Sequence, residues 1–400
     1  METTRPIRRP SIGLLMGLAM LTVAFTSEVR ACAICFSGLT VTPGQKLDAA
    51  DQVVLAAPLP GGGQFRVVDV IKGGDSVGDV IAQPGLAAPL AKTVMSVDGL
   101  TAGDEIAATL DENPWLIVRD RVSEKWTAMG TMHVDHATWL RQLVQTKHGG
   151  SLRPPPPVWP QMGLTASYLV ESEWRERIAL VGSQLESADP LVAEIAYGEL
   201  SRAPYATMRL IRSEIDAEKV RAWLADPRLA SRRSAYTLLL GITGGPGDAL
   251  DIERQIDAAM KKRETTNLSA MLAADLELRG QSRVGWLETT FLTDRQRSLQ
   301  EVQAALLALS VHGGAADTLP RIRIVEAYRA FITARPQMAG FVAMELADWE
   351  AWEATPDYLA IIRANAVKDP GERFAILSYL QRSPRTTADA AVRAAVTRQQ

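Results

Sequence analysis

The sequence is poor in the residue types that most often carry chemistry. It has two cysteines, Cys32 and Cys35, and four histidines, His133, His136, His148 and His312. A Ser-His-Asp device needs a histidine in a recognisable setting, and Gly-x-Ser-x-Gly is absent. A helix-borne His-Glu-x-x-His zinc site is absent too. Gly244-Gly245-Pro246-Gly247 lacks the Lys-Ser/Thr of a phosphate loop and reads as an inter-helix turn. Basic charge is also in short supply. The formal net charge of −3 argues against a strongly basic surface for nucleic acid. With 46 acidic residues, paired carboxylates stay open as a source of acid–base chemistry, because their spacing in space is not readable from sequence.

Long apolar runs are scarce as well. The one that stands out is Ile12 to Phe25, 14 residues without charge, too short for an easy membrane span of ~20 residues. Arg5, Arg8 and Arg9 precede it, and Thr26-Ser27-Glu28 follows. Residues 1–31 therefore read as a signal peptide cut before Cys32, with Val29 and Ala31 at −3 and −1. Removal would make the remainder two charges more negative. The expected location is the periplasm or the outside of the cell.

Cys32-Ala33-Ile34-Cys35 then lies at the new terminus, in an oxidising compartment. Four readings stand side by side. The pair forms a local disulfide or remains a thiol pair. Alternatively, Cys32 is acylated, since Val29-Arg30-Ala31-Cys32 resembles a lipobox with a charged residue at −2. The third is redox catalysis, which would want a strand before the pair and a helix N-terminus at it. The fourth joins Cys32 and Cys35 to His133 and His136 in a Cys₂His₂ set suited to zinc or copper. Against the last, His133-Val134-Asp135-His136 also suits the start of a surface helix with Asp135 as its cap.

From 36 to 150 the apolar pattern is short and alternating, with Gly and Pro between runs. Strands are expected at 52–57, 64–71, 79–83, 93–97, 105–110, 115–119 and 125–129. A helix is expected over 135–146, with Trp139, Leu140, Leu143 and Val144 on one face. These features suggest a small antiparallel barrel or sandwich. The order Cys-x-x-Cys, Ala50-Asp51-Gln52-Val53-Val54-Leu55-Ala56, Phe65-Arg66-Val67 and Ile71-Lys72-Gly73 resembles the netrin-like domain. Trp115-Leu116-Ile117-Val118 and Trp126-Thr127-Ala128-Met129-Gly130 are similar to its closing strands. The resemblance implies an OB-type barrel with its N-terminal cysteine segment pinned against it, and interaction rather than catalysis. The further cysteines of the animal members are absent, and protease inhibition is not carried over.

Pro154-Pro155-Pro156-Pro157 marks a linker over 151–164, which favours stiff polyproline II backbone. Beyond it, over 165–400, the period changes to 3.6. Helices are expected at 173–185, 191–202, 205–214, 217–225, 229–242, 248–263, 267–279, 283–291, 296–311, 320–334, 338–353, 357–366, 371–382 and 386–398. Asp189-Pro190, Asp226-Pro227 and Asp369-Pro370 each precede one of them. Leu224-Ala225-Asp226-Pro227, Arg232-Arg233-Ser234-Ala235-Tyr236 and Leu239-Leu240-Gly241 resemble one HEAT repeat. Trp349 and Trp352 fall on an acidic helix that suits either a partner surface or an inward-facing aromatic stripe.

The expectation is thus an α+β chain of two domains: a small antiparallel β-barrel of OB or netrin-like type (32–150), then an all-α helical-repeat solenoid. Its expected role is an exported, non-catalytic scaffold for a protein or peptide partner, with no nucleic acid and no membrane span after cleavage. A periplasmic metal-binding or thiol-redox protein is the alternative.

Overall fold

In a computed structural model, the structure describes residues 41–60, 63–82, 113–146, 171–315 and 319–386. Cys32, Cys35, the leader, the proline linker, the strands expected at 93–97 and 105–110 and all but the first residue of the helix expected at 386–398 lie outside the described residues.

The first element is a helix that the alternating pattern did not announce. Helix α1 (Pro43–Ala49) has Pro43 in its first turn, and Thr42 caps it. The Thr42 side chain accepts from Gln45 N, and the Gln45 side chain accepts from Thr42 N, a capping box. Strand β1 (Ala50–Pro58) leaves this helix directly. Its neighbours are β2 (Gln64–Lys72), β3 (Val80–Ala82), β4 (Trp115–Asp120) and β5 (Trp126–Thr131). All pairings are antiparallel, in the order β3-β2-β1-β4-β5.

β1 sits at the centre, and its unbroken apolar run is buried on both faces. Side chains alternate along a strand. Val53 and Leu55 therefore join one cluster, with Leu47, Leu116 and Trp139. Val54 and Ala56 join the other, with Phe65, Val67, Ile81 and Ile117. Register shifts at Val53/Val54 and Leu55/Ala56 bend the central strand. The sheet is consequently curled, a five-strand half-barrel. Helix α2 (Ala137–Gln145) covers one face with Ala137, Trp139, Leu140, Leu143 and Val144. A 3-10 turn, Val134–His136, introduces it.

The rest is helical. Helices α3 (Glu171–Val181) and α4 (Pro190–Arg202) come first. Helix α4 uses two sides. Leu191, Val192 and Ile195 complete the core under the sheet. Ala196 and Leu200 enter the large helical core. The Trp139 indole also donates to Leu180 O at 2.9 Å. The β-region and the helical region thus share apolar packing through α4.

Helices α5 (Tyr205–Met208), α6 (Ala217–Ala225), α7 (Arg233–Thr243), α8 (Pro246–Lys262), α9 (Leu268–Arg279), α10 (Ser282–Leu287) and α11 (Leu299–Ala315) follow. α7, α9 and α11 lie side by side, with α6 on α7 and α8 on α9. Gly241 of α7 comes close against Ala274 of α9, where an added Cβ would meet Ala274 Cα at 2.7 Å. Helices α12 (Arg321–Ala334), α13 (Ala343–Asp348), α14 (Thr355–Arg363) and α15 (Pro370–Arg382) end the described part.

Several expected helices are interrupted. The segment expected at 205–214 is α5 followed by a 3-10 turn, Arg209–Ser213. A 3-10 turn, Pro227–Arg232, precedes α7, and a π turn, Glu288–Leu292, follows α10. The segment expected as one helix at 338–353 is a 3-10 turn (Pro336–Val342), α13 and a second 3-10 turn (Trp352–Ala354). Its break is a Schellman closure: Ala351 N donates to Leu346 O at 2.9 Å and Glu350 N to Ala347 O at 3.2 Å. Glu350 takes the left-handed position, at φ 56°.

Candidate functional site

The residues singled out for metal are only partly within view. His133 and His136 lie on the 3-10 turn before α2, facing solvent or half-buried. His133 works as its cap, with Nδ1 accepting from Asp135 N at 3.3 Å and standing 3.1 Å from Asp135 Oδ2. The expected cap was Asp135, and the observed one is the histidine two residues earlier. His133 N donates to Asp189 Oδ2 at 2.8 Å, which ties this turn to the start of α4. Among the described residues, no group of three or more His, Cys, Asp or Glu is placed to hold a metal ion. Cys32 and Cys35 are outside the described residues, so of the four expected ligands the structure places His133 and His136.

A buried charged site lies elsewhere, at the seam between α1, α3 and α4. Arg177 of α3 is fully buried. Its Nη2 donates to Asp48 Oδ1 at 2.6 Å and its Nη1 to Asp48 Oδ2 at 3.1 Å. Its Nε stands 3.0 Å from Glu199 Oε2 on α4. Arg202, one turn on, donates from Nη1 to Glu199 Oε1 at 2.9 Å. Its Nη2 is 3.6 Å from Asp48 Oδ2, and its guanidinium lies over the Trp174 ring at 5.6 Å. Two arginines and two carboxylates close a ring whose formal charges cancel. Planar guanidinium forks suit this bidentate geometry.

Lys72, at the end of β2, adds Nζ hydrogen bonds to Leu47 O at 3.3 Å and Asp48 O at 3.4 Å. Burial holds its ammonium below the usual lysine range, and Asp48 opposes that shift. The glycines explain how the ring fits. Gly44 has no side chain because Glu199 occupies the space; an added Cβ would lie 1.5 Å from Glu199 Oε1. Gly198 faces Thr42 more loosely, with an added Cβ 3.3 Å from Thr42 Cβ.

None of the four ring residues, Asp48, Arg177, Glu199 and Arg202, was singled out in the sequence, yet a signal was present. Trp174, Arg177, Ile178 and Val181 share one helical stripe, and so do Val192, Ile195, Ala196 and Glu199. A charge at a core position of an amphipathic stripe demands a partner. The sequence identifies neither partner, because Asp48 lies 129 residues from Arg177.

A second buried polar group sits inside the helical region. Glu277 of α9 accepts from Tyr205 OH at 3.0 Å and from Arg209 Nε at 3.0 Å. His312 of α11 faces it, with Nδ1 3.8 Å from Glu277 Oε2. Farther along, Trp349 stacks on Tyr328 at 5.8 Å and carries Arg321 over its ring, while Trp352 meets Tyr379 at 5.3 Å. Both tryptophans thus pack against the helical core. In Gly244-Gly245-Pro246-Gly247 the first two residues are the turn between α7 and α8 and the last two open α8; Asp248 accepts from Gly245 N at 2.9 Å and pairs with Arg221.

Comparison of the chain with family models, with curated proteins and with solved structures gives no match. Among the described residues, no helix is long and apolar enough to cross a membrane.

Proposed function

We propose that the chain is an exported, non-catalytic interaction scaffold. In this reading a netrin-like or OB-like half-barrel is joined to a HEAT-like stack of helix pairs that receives a protein or peptide. The observation that carries it is the side-by-side packing of α7, α9 and α11, with α6 and α8 layered on them. Stacked pairs of this kind build long continuous surfaces. Leu210, Leu250, Leu299, Ile322 and Phe374 remain exposed on the helical region.

The strand order supports the barrel part. In β3-β2-β1-β4-β5, joining the two edge strands would close a five-strand barrel, with β3 and β5 parallel. The leader pattern at 1–31 supports export, with Cys32 and Cys35 tethering the mature end by disulfide or lipid. Helix α1 begins eight residues after Cys35 and is clamped at the seam, which would put such a tether close to the rigid joint.

The test is binding by the mature chain to periplasmic extract, followed by purification of the captured species and a titration. The reading expects saturable binding near micromolar concentration, weakened by Leu250→Glu or Phe374→Glu with the melting temperature unchanged. No saturable partner, or binding indifferent to both variants, counts against it. Intact-mass measurement of the exported chain separates disulfide, thiols and diacylglycerol at Cys32.

A second reading keeps zinc or copper at Cys32, Cys35, His133 and His136. It is favoured by the placement of both imidazoles on one accessible turn. Zinc titration of the exported chain, compared with His133→Ala/His136→Ala, decides it: equal affinity removes the histidines from any site.

A further inference from the structure

His312 is the one histidine of the described residues with a fully buried side chain. It sits where three segments meet: α5 with the following turn Arg209–Ser213, α9, and α11. Its Nε2 lies 2.9 Å from Ala273 O. A carbonyl oxygen only accepts, so Nε2 carries the hydrogen and Nδ1 presents a lone pair in the neutral ring. Among the described residues, Nδ1 has no hydrogen-bond partner. The ring packs edge-on to Tyr205, centroids 5.0 Å apart.

The charges around the ring come from each neighbouring element. Glu277 of α9 stands 3.8 Å from Nδ1. Its carboxylate is already held by Tyr205 of α5 and Arg209 of the following turn, and Arg212 of that turn comes within 3.7 Å. On α11 itself, Gly313 O accepts from Arg321 of α12, and Ser310 donates to Glu345 of α13. Asp275 of α9 is engaged by Arg279 and Arg283.

We propose that His312 is an acid-sensitive latch: protonation at Nδ1 loosens the joint between α5, α9 and α11 and softens the middle of the helical region. The physical reason is the charge count. Glu277 is already matched by Arg209 and approached by Arg212, so another positive charge enters a dry site that is not short of them. Water reaches the imidazolium only if the joint opens. Burial accordingly holds the ring below the usual histidine range, with Glu277 opposing and Arg209 reinforcing. The sign follows. An unfolded histidine takes its proton near pH 6.5, earlier than the buried one does. The stability contribution is full above that pH and is lost as pH falls through it toward the folded-state value.

The inference adds regulation to the scaffold reading without depending on a partner. A protein outside the cytoplasm experiences the acidity of the medium, which gives such a latch something to report.

The experiment follows thermal unfolding of the full chain from pH 7.5 to 5.5, wild type against His312→Gln. Glutamine can still donate to Ala273 O but does not titrate. The wild-type midpoint is expected to fall by at least about 2 °C more than that of the variant; parallel curves overturn the proposal. Hydrogen exchange of the wild type needs no variant. Corrected for intrinsic rate, protection over 205–213 and 268–279 should drop in acid more than over the sheet strands 115–131. An equal loss everywhere, or none, overturns the proposal as well.

Discussion

Arg177 and Asp48 meet through two hydrogen bonds, of 2.6 and 3.1 Å, across 129 residues of chain. Through this contact the first helix is locked to the helical region, with the sheet between them in sequence. The arginine side chain is fully buried, and its other face is taken by Glu199. Replacing Arg177 by Met would leave Asp48 and Glu199 in the seam with one of their two guanidinium partners removed and Arg202 remaining. The expected loss is about 3–5 kcal/mol by urea unfolding. Asp48→Asn should lose part of that, and the double variant should lose less than the two together. Simple additivity would show that the pair is not coupled.

A second expectation concerns how closely α7 and α9 approach. Gly241 has Ala274 Cα where its Cβ would go, at 2.7 Å. Gly241→Val must push the helices apart and should cost about 1–3 kcal/mol. Gly285, in α10, has nothing within 4 Å of an added Cβ. Gly285→Ala should stabilise by about 0.5–1 kcal/mol through helix propensity alone. Opposite signs for the two substitutions in one denaturation series would support the packing; equal signs would refute it.

Asp189 and Asp369 allow a comparison between capping and joining. Both cap a helix: Asp189 accepts from Leu191 N and Val192 N, and Asp369 from Glu372 N. Asp189 also accepts from His133 N, across the seam to the β-region. Asp369→Ala should cost about 1 kcal/mol, a normal cap loss. Asp189→Ala should cost about 0.5 kcal/mol more, the net worth of one exposed hydrogen bond, because water reaches the freed His133 N–H. If both variants melt alike, the His133 bond carries no stability.

These caps were readable in advance, since Asp-Pro before an apolar stripe is a start signal. So were β1, expected at 52–57, and α6 at 217–225. The stops were harder. Arg263, Glu350 and Asn365 close helices in the left-handed position that glycine usually takes, at φ 54°, 56° and 49°. The charged side chains of Arg263 and Glu350 give no such punctuation, so 338–353 looked like one helix. Helix α1 was missed because its seven residues hold too few apolar positions for a period. The seam was invisible for a different reason. Periodicity reports which side faces a core, whereas the partner of Arg177 is decided by tertiary contact.

The last expectation turns on Glu372, near the start of α15. Gly340 N donates to its Oε2 at 3.2 Å, and an added Cβ on Gly340 would sit 2.6 Å from Glu372 Cα. This tight contact strips water from the carboxyl. Burial pushes its pKa up to about 7, with Asp369 adding to the shift and the Gly340 bond opposing it. A raised carboxyl favours the folded state when protonated. Its contribution is therefore full below the unfolded value near 4.3 and is lost as pH rises through about 7. This is the reverse of the direction set by His312, so the middle of the helical region and its C-terminal end should respond oppositely to acid. Glu372→Gln keeps an acceptor for Gly340 and removes the titration. Its stability relative to wild type should climb between pH 4.5 and 7.5 and then level off. A difference that stays flat over that range would mean that the carboxyl is solvated and the contact with Gly340 is loose.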